Sequence, residues 1–120
     1  MSPVVNADWL REICLSFPGT TEQIQWGNDL LFKVAGKMFL IVGLDGALAD
    51  GVTFKCTPDE FDDLTDIDGI AQAPYCAKRH WVHVSDLDAL PTAEFQRRIR
   101  RSCDLVVEGL TKKLRRELGL

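Results

Sequence analysis

The sequence predicts an α+β domain: an antiparallel sheet of about five strands with an N-terminal helix, a short middle helix and a long C-terminal helix packed on it. Three observations carry that prediction. Leu30–Val34 and Lys37–Val42 flank Ala35-Gly36, a two-residue turn with Gly where φ can be positive, which is a hairpin signal. Thr57-Pro58-Asp59-Glu60 joins a capping box to a proline at the first helical position. At about 100° per residue, Phe95, Cys103, Val106, Leu110 and Leu114 fall within about 60° of Ile99, forming one apolar stripe.

In order along the chain, Asn6 is the expected N-cap of the first helix, with Asp8 placed for the helix dipole. Leu10, Ile13, Cys14 and Phe17 follow at i, i+3, i+4, i+7 spacing, and Pro18-Gly19 stops the helix. Gln23–Trp26 reads as a first strand. In the hairpin, Met38, Leu40 and Val42 are expected on one face of the second strand and Phe39 and Ile41 on the other. Asp45-Gly46 and Asp50-Gly51 both offer the next turn. Val52, Phe54 and Cys56 then share a face. The capping box starts a short helix over about Pro58–Leu64, and Asp66–Gly69 ends it in a turn. Ile70–Tyr75, holding Pro74, reads as an edge segment, Trp81–Val84 as a firmer strand, and Thr92–Leu118 as one helix roughly 40 Å long.

The 120 residues suit a single domain over 1–120, and 46% apolar with 27% charged residues is the balance of an ordinary globular fold. The start lacks the basic and apolar pattern of a signal peptide, and no run reaches the ~18 apolar residues of a membrane span. A cytoplasmic location is therefore expected. Cys14, Cys56, Cys76 and Cys103 are widely spaced among apolar neighbours, as free buried thiols would be. Residues 1–91 hold 6 Lys/Arg against 14 Asp/Glu, whereas 92–120 hold 8 against 4. Strong sequence-independent nucleic-acid affinity is not what a chain of net charge −4 suggests.

No motif carries catalysis, and the expectation is a non-enzyme. His80 and His83, three apart, would point to opposite faces of a strand, so no metal or cofactor is expected from them. The acidic run from Asp59 to Asp68 does not have a calcium-loop register and reads as a solvated helix face. Gly-x-Ser-x-Gly, P-loop and Gly-x-Gly-x-x-Gly patterns are absent from the sequence. On the last helix Arg97, Arg101, Lys112 and Arg115 face outward, and Arg100–Asp104 and Glu108–Lys112 are i,i+4 pairs. That arrangement reads as a salt-bridged solvent face ahead of a phosphate track. Trp26 and Trp81 are candidates for base stacking or for a ligand face, against the ordinary role of core filling.

Phe17-Pro18-Gly19, Trp26-Gly27, Phe32–Phe39, Phe54-Lys55 before Thr57–Glu60, Ala73-Pro74-Tyr75 before Lys78 and Trp81-Val82, and Ser102 in the final helix recur in one pattern. In order and spacing the chain resembles the MmcQ/YjbR family of small bacterial proteins over about Asp8–Leu118. The resemblance implies helices on an antiparallel sheet, described as a double-wing arrangement, and a DNA-binding role without catalytic residues. Matched or nearby basic residues are Lys33, Lys37, Lys55, Lys78 and Arg79. The alternative is a protein- or small-ligand-binding module using an exposed sheet face beside Trp26 and Trp81.

Overall fold

A computed structural model describes residues 5–25, 28–45, 48–73 and 80–120. Its elements are α1 (Ala7–Leu15), β1 (Thr20–Gln25), β2 (Asp29–Val34), β3 (Lys37–Asp45), β4 (Leu48–Lys55), α2 (Pro58–Thr65), β5 (Ile70–Gln72), β6 (Trp81–Val84), α3 (Thr92–Glu108) and α4 (Lys112–Leu118). The strands form one antiparallel sheet in the order β1-β2-β3-β4-β6-β5. Among the described residues six strands stand where about five are expected. The segment read as an edge, Ile70–Tyr75, forms the three-residue edge strand β5, and its Pro74 and Tyr75 lie outside the described residues.

Local chemistry sets the element ends. Asn6 Oδ1 accepts from Trp9 N at 2.9 Å and starts α1. Thr57 Oγ1 accepts from Glu60 N at 3.2 Å while Glu60 Oε1 accepts from Thr57 N at 3.0 Å, so both halves of the capping box are formed. Ala35 and Gly36 both have positive φ, +54° and +76°, the geometry of a tight type I′ hairpin turn. Asp50-Gly51 is no turn. It lies inside β4, where a register shift leaves Asp50 unpaired, and the β3–β4 connection falls at 46–47, outside the described residues.

Two cross-strand rows make the core face: Leu30–Val42–Val52–Val84 and Phe32–Leu40–Phe54–Val82. All eight are buried and cluster with Leu10 and Cys14 of α1, Leu64 of α2 and Phe95 and Ile99 of α3. Each such side chain contributes on the order of 2 kcal/mol by leaving water. Trp9 meets Phe95 edge-on at 6.2 Å between ring centroids, tying α1 to α3.

One expectation about faces is corrected. The β2–β3 register passes from Phe32↔Leu40 to Lys33↔Met38, so Phe39 is the extra residue of a β-bulge. The bulge turns Phe39 to the helix side, fully buried 6.1 Å from the ring of Phe17 and 6.5 Å from that of Phe32. Met38 takes the other face, opposite Lys33. A bulge also strands backbone groups, and Ser102 collects them. Its hydroxyl donates to the Phe39 carbonyl at 2.6 Å and accepts from Lys55 N at 2.9 Å. Ser102 is the one buried polar side chain among the described residues.

The single long C-terminal helix is also corrected. α3 ends at Glu108, Gly109 and Leu110 make the break, and Thr111 Oγ1 caps α4 by accepting from Leu114 N at 3.1 Å. Glycine lowers helix propensity by about 1 kcal/mol, and a capping threonine rewards a fresh start. Glu108 consequently approaches Arg101 Nη1 at 4.0 Å instead of pairing with Lys112.

Removing the Ser102 hydroxyl leaves one buried carbonyl and one amide without a partner. Ser102→Ala is therefore expected to lower unfolding free energy by about 1–3 kcal/mol in a denaturant titration, with a native far-UV spectrum. Thr57→Ala should cost about 1 kcal/mol. Equal effects at the two sites would show that Ser102 adds no more than a cap does.

Candidate nucleic-acid interface

Antiparallel register sorts charge along the sheet. Lys33 lies near the end of β2, Lys37 opens β3 and Lys55 closes β4; the pairs Lys33↔Met38, Val34↔Lys37 and Lys55↔Trp81 put them at one end. The opposite end collects acids. Asp29 opens β2, Asp50 lies beyond Gly51, and the Ile70↔Val84 pairing brings Asp66 and Asp68 beside Asp86 and Asp88. The contact there is close: Ser85 N donates to the Gly69 carbonyl at 2.8 Å, and a Cβ at Gly69 would come within 2.7 Å of Asp86 Cβ. Gly69 also holds φ +90°, so glycine is required twice over at that corner.

Lys33 and Lys55 share the sheet face turned away from the helices, separated by β3 and so about 10 Å apart across two strand spacings. Lys37 is exposed and paired with buried Val34, so it lies on the helix side of the same end. Lys33 Nζ donates to Gln23 Oε1 at 2.9 Å. Among the described residues, none of the three lysines has a carboxylate within 4 Å. Trp81 is only 6% exposed. Lys78, Arg79 and Trp26 lie outside the described residues.

The arginines of α3 are occupied. Arg97 pairs with Glu94, Arg98 with Glu94 at 2.8 Å and with Glu60 at 2.7 Å, and Arg101 approaches Glu60 at 3.6 Å. Arg100 pairs with Asp104 at 3.1 Å and sits over the Phe17 ring at 4.9 Å. Salt-bridged solvent face was the sequence expectation, yet the reach of Glu60 from α2 has no local signature, because its partner is 38 residues away. Ser102 did leave a signal: it lies about 60° from Ile99, inside the apolar stripe, where a hydroxyl needs a buried partner.

The remaining polar candidates have separate partners. His80, at φ +59°, packs edge-on against Phe61 at 5.6 Å. His83 Nδ1 lies 2.8 Å from Thr53 Oγ1, and its ring rests on Gly51, where a Cβ would meet His83 Cε1 at 2.8 Å. Cys14, Cys56 and Cys103 are free and buried, and Cys76 lies outside the described residues. Burial pushes the Cys56 and Cys103 thiols up to about 11 and raises Cys14 as well, which leaves them protonated and unreactive at neutral pH.

Helices on one side of a six-stranded antiparallel sheet, with lysines at one sheet end and aspartates at the other, define a two-layer α+β domain of polar charge distribution. The family model described as YjbR matches residues 15–105, and the chain belongs to that family. It is similar to the crystal structure of a Deinococcus radiodurans protein with a DUF419 domain: 31% identity, TM-score 0.81, covering 94% of this chain and 87% of that one. A Pseudomonas syringae protein of known structure shares the fold at 20% identity and TM-score 0.67, covering 84% of this chain and 98% of that one. No curated protein matches the chain. No helix among the described residues is long and apolar enough to cross a membrane.

Glu60 ties the α2 cap to α3. Burial works against its charge, but the Thr57 hydrogen bonds and the Arg98 and Arg101 guanidinium groups prevail and hold its carboxyl below the usual carboxylate range. A folded pKa below the unfolded value of about 4.3 means the stabilisation is full above that value and fades as pH falls through the folded pKa. Wild-type protein should thus lose stability below about pH 4.3 more steeply than Glu60→Gln, as read by thermal unfolding across the acid range. Parallel curves would remove Glu60 from the acid response.

Proposed function

We propose that this protein is a non-enzymatic DNA-binding domain whose affinity is weak and mainly electrostatic. The observation that carries the reading is the placement of Lys33, Lys37 and Lys55, without carboxylate partners among the described residues, at one sheet end, with Asp66, Asp68, Asp86 and Asp88 at the other. Lys78 and Arg79 are the further basic residues of this reading, in line with the family resemblance. Phosphate contacts of this kind position a duplex without reading its sequence. A net charge of −4 keeps the affinity low, because repulsion from the acidic end opposes attraction at the basic one.

A second reading, a small-ligand- or protein-binding module, has one observation in its favour. A cleft of about 410 Å³ between α1 and β1 is lined by Asp8, Arg11, Glu22, Leu30 and Leu44 together with Ile24, which is 66% exposed. Arg11 and Glu22 close against each other through two bonds of 2.7 Å, so two of the three charged groups of that cleft already satisfy one another.

With three to five phosphates contacted, log K for duplex DNA should fall against log salt with a slope of roughly −3 to −4.5. Lys37→Ala/Lys55→Ala should weaken binding to all sequences alike and flatten the slope by about one unit per lost contact. Absence of any shift with duplex or single-stranded DNA at low salt and tens of micromolar protein, a range the weak-binding regime sets, would transfer the assignment to the binding-module reading.

A further inference from the structure

We infer that α4 is a second phosphate-contacting element, which extends the basic sheet end onto the helix layer and grips the same nucleic-acid backbone. The inference rests on the DNA-binding reading and names the partner surface of that site more fully. Its first observation is a contrast in pairing. Every arginine of α3 has a carboxylate within 4.0 Å, whereas among the described residues Lys112, Lys113, Arg115 and Arg116 of α4 have none. Paired cations release few counterions on meeting a phosphate, because a carboxylate already neutralises them; unpaired cations supply the attractive term.

Geometry sharpens the contrast. At about 100° per residue, Lys112, Arg115 and Arg116 fall in an arc of roughly 100°, with Leu114 on the opposite side and Leu118 about 60° beyond Arg115. The three cations lie within about 6 Å of rise along the helix axis, a compact group suited to neighbouring phosphates. Lys112 and Arg116 are exposed, and Arg115 is half-buried. Arg115 Nε is shielded from solvent and meets no acceptor among the described residues, and none of their carboxylates lies within 4 Å of its guanidinium.

Position links α4 to the lysines. Leu120 N donates to the Arg115 carbonyl at 2.8 Å and folds the chain end back, so that a Cβ at Gly19 would lie 3.6 Å from Leu120 Cδ2. Gly19 precedes Thr20, and Thr20↔Val34↔Lys37 is the register line of the basic sheet end. The helix break at Gly109–Thr111 is what brings α4 there, off the line of α3. The partner that fits is a polyanionic backbone. An acidic lipid surface fits less well, since Leu118 is the one large apolar side chain of α4 that is exposed, too little apolar surface to seat the helix in a bilayer.

The test compares Lys112→Ala/Arg116→Ala with Arg97→Ala/Arg100→Ala in fluorescence anisotropy on one short duplex across a salt series, native folding being checked by circular dichroism. Loss of the two α4 cations should make the salt slope shallower by about two units, and loss of the two α3 arginines should leave it unchanged. A wild-type slope in the α4 variant, with Lys37→Ala/Lys55→Ala still flattening it, overturns the inference and spares the DNA-binding reading. If wild-type protein binds no duplex, both fall. Vesicles of phosphatidylserine and phosphatidylcholine form the last arm: binding to them in place of DNA, lost in the α4 variant, would make the partner of α4 a lipid surface and overturn the inference.

Discussion

Ser102 is the hinge on which the arrangement of layers turns. The bulge at Phe39 interrupts the ladder between β2 and β3, and the β3–β4 pairing stops at Leu40↔Phe54. A hydroxyl from α3 then enters the gap and completes both the Phe39 carbonyl and the Lys55 amide. Helix and sheet are thus joined by a directional contact as well as by apolar packing. The bulge would strand polar groups without the helix, and the helix has no other buried polar anchor among the described residues. Phe39 is turned inward by the same irregularity, where it meets Phe17 and Phe32 and brings the end of α1 into the core.

Strand polarity follows from that framework. An antiparallel sheet alternates chain direction, so turns gather at its two ends, and the residues that flank turns set the charge of each end. Here Lys37 follows one tight turn and Lys55 precedes the helix α2, whereas Asp66, Asp68, Asp86 and Asp88 flank the short edge hairpin at the far end. Charge separation is therefore a property of register, and whole-chain composition conceals it.

Features decided by neighbours in sequence were legible from sequence. The Asn6 cap, the Thr57–Glu60 capping box and the Ala35-Gly36 turn each need only a few adjacent residues, and each is formed. The apolar stripe of the last helix also held through Val106 and Leu110. Contacts between distant residues were not legible. Strict alternation assigned Phe39 to the wrong face because nothing adjacent to it announces the bulge. Periodicity carried the last helix across Gly109, since Leu110 stays buried on either side of a break. The ion pairing of α3 was visible within the helix at Arg100–Asp104, but Arg98–Glu60 depends on α2 docking alongside. Among the candidate site residues, sequence supplied Lys33, Lys37 and Lys55, and only register could say that Lys37 lies on the opposite side of the sheet from the other two.

The two charged ends also act before any contact is made. Lysines at one end of the sheet and aspartates at the other give the sheet an electric dipole component along its strands. In the field of a polyanion such a body experiences a torque, which rotates the basic end forward during approach even though the net force on an acidic chain is repulsive. Screening limits this to the last ~10 Å at about 0.1 M salt, so orientation would be settled late and quickly. For a weak polyanion binder, such turning would raise the share of encounters that begin with the lysines forward.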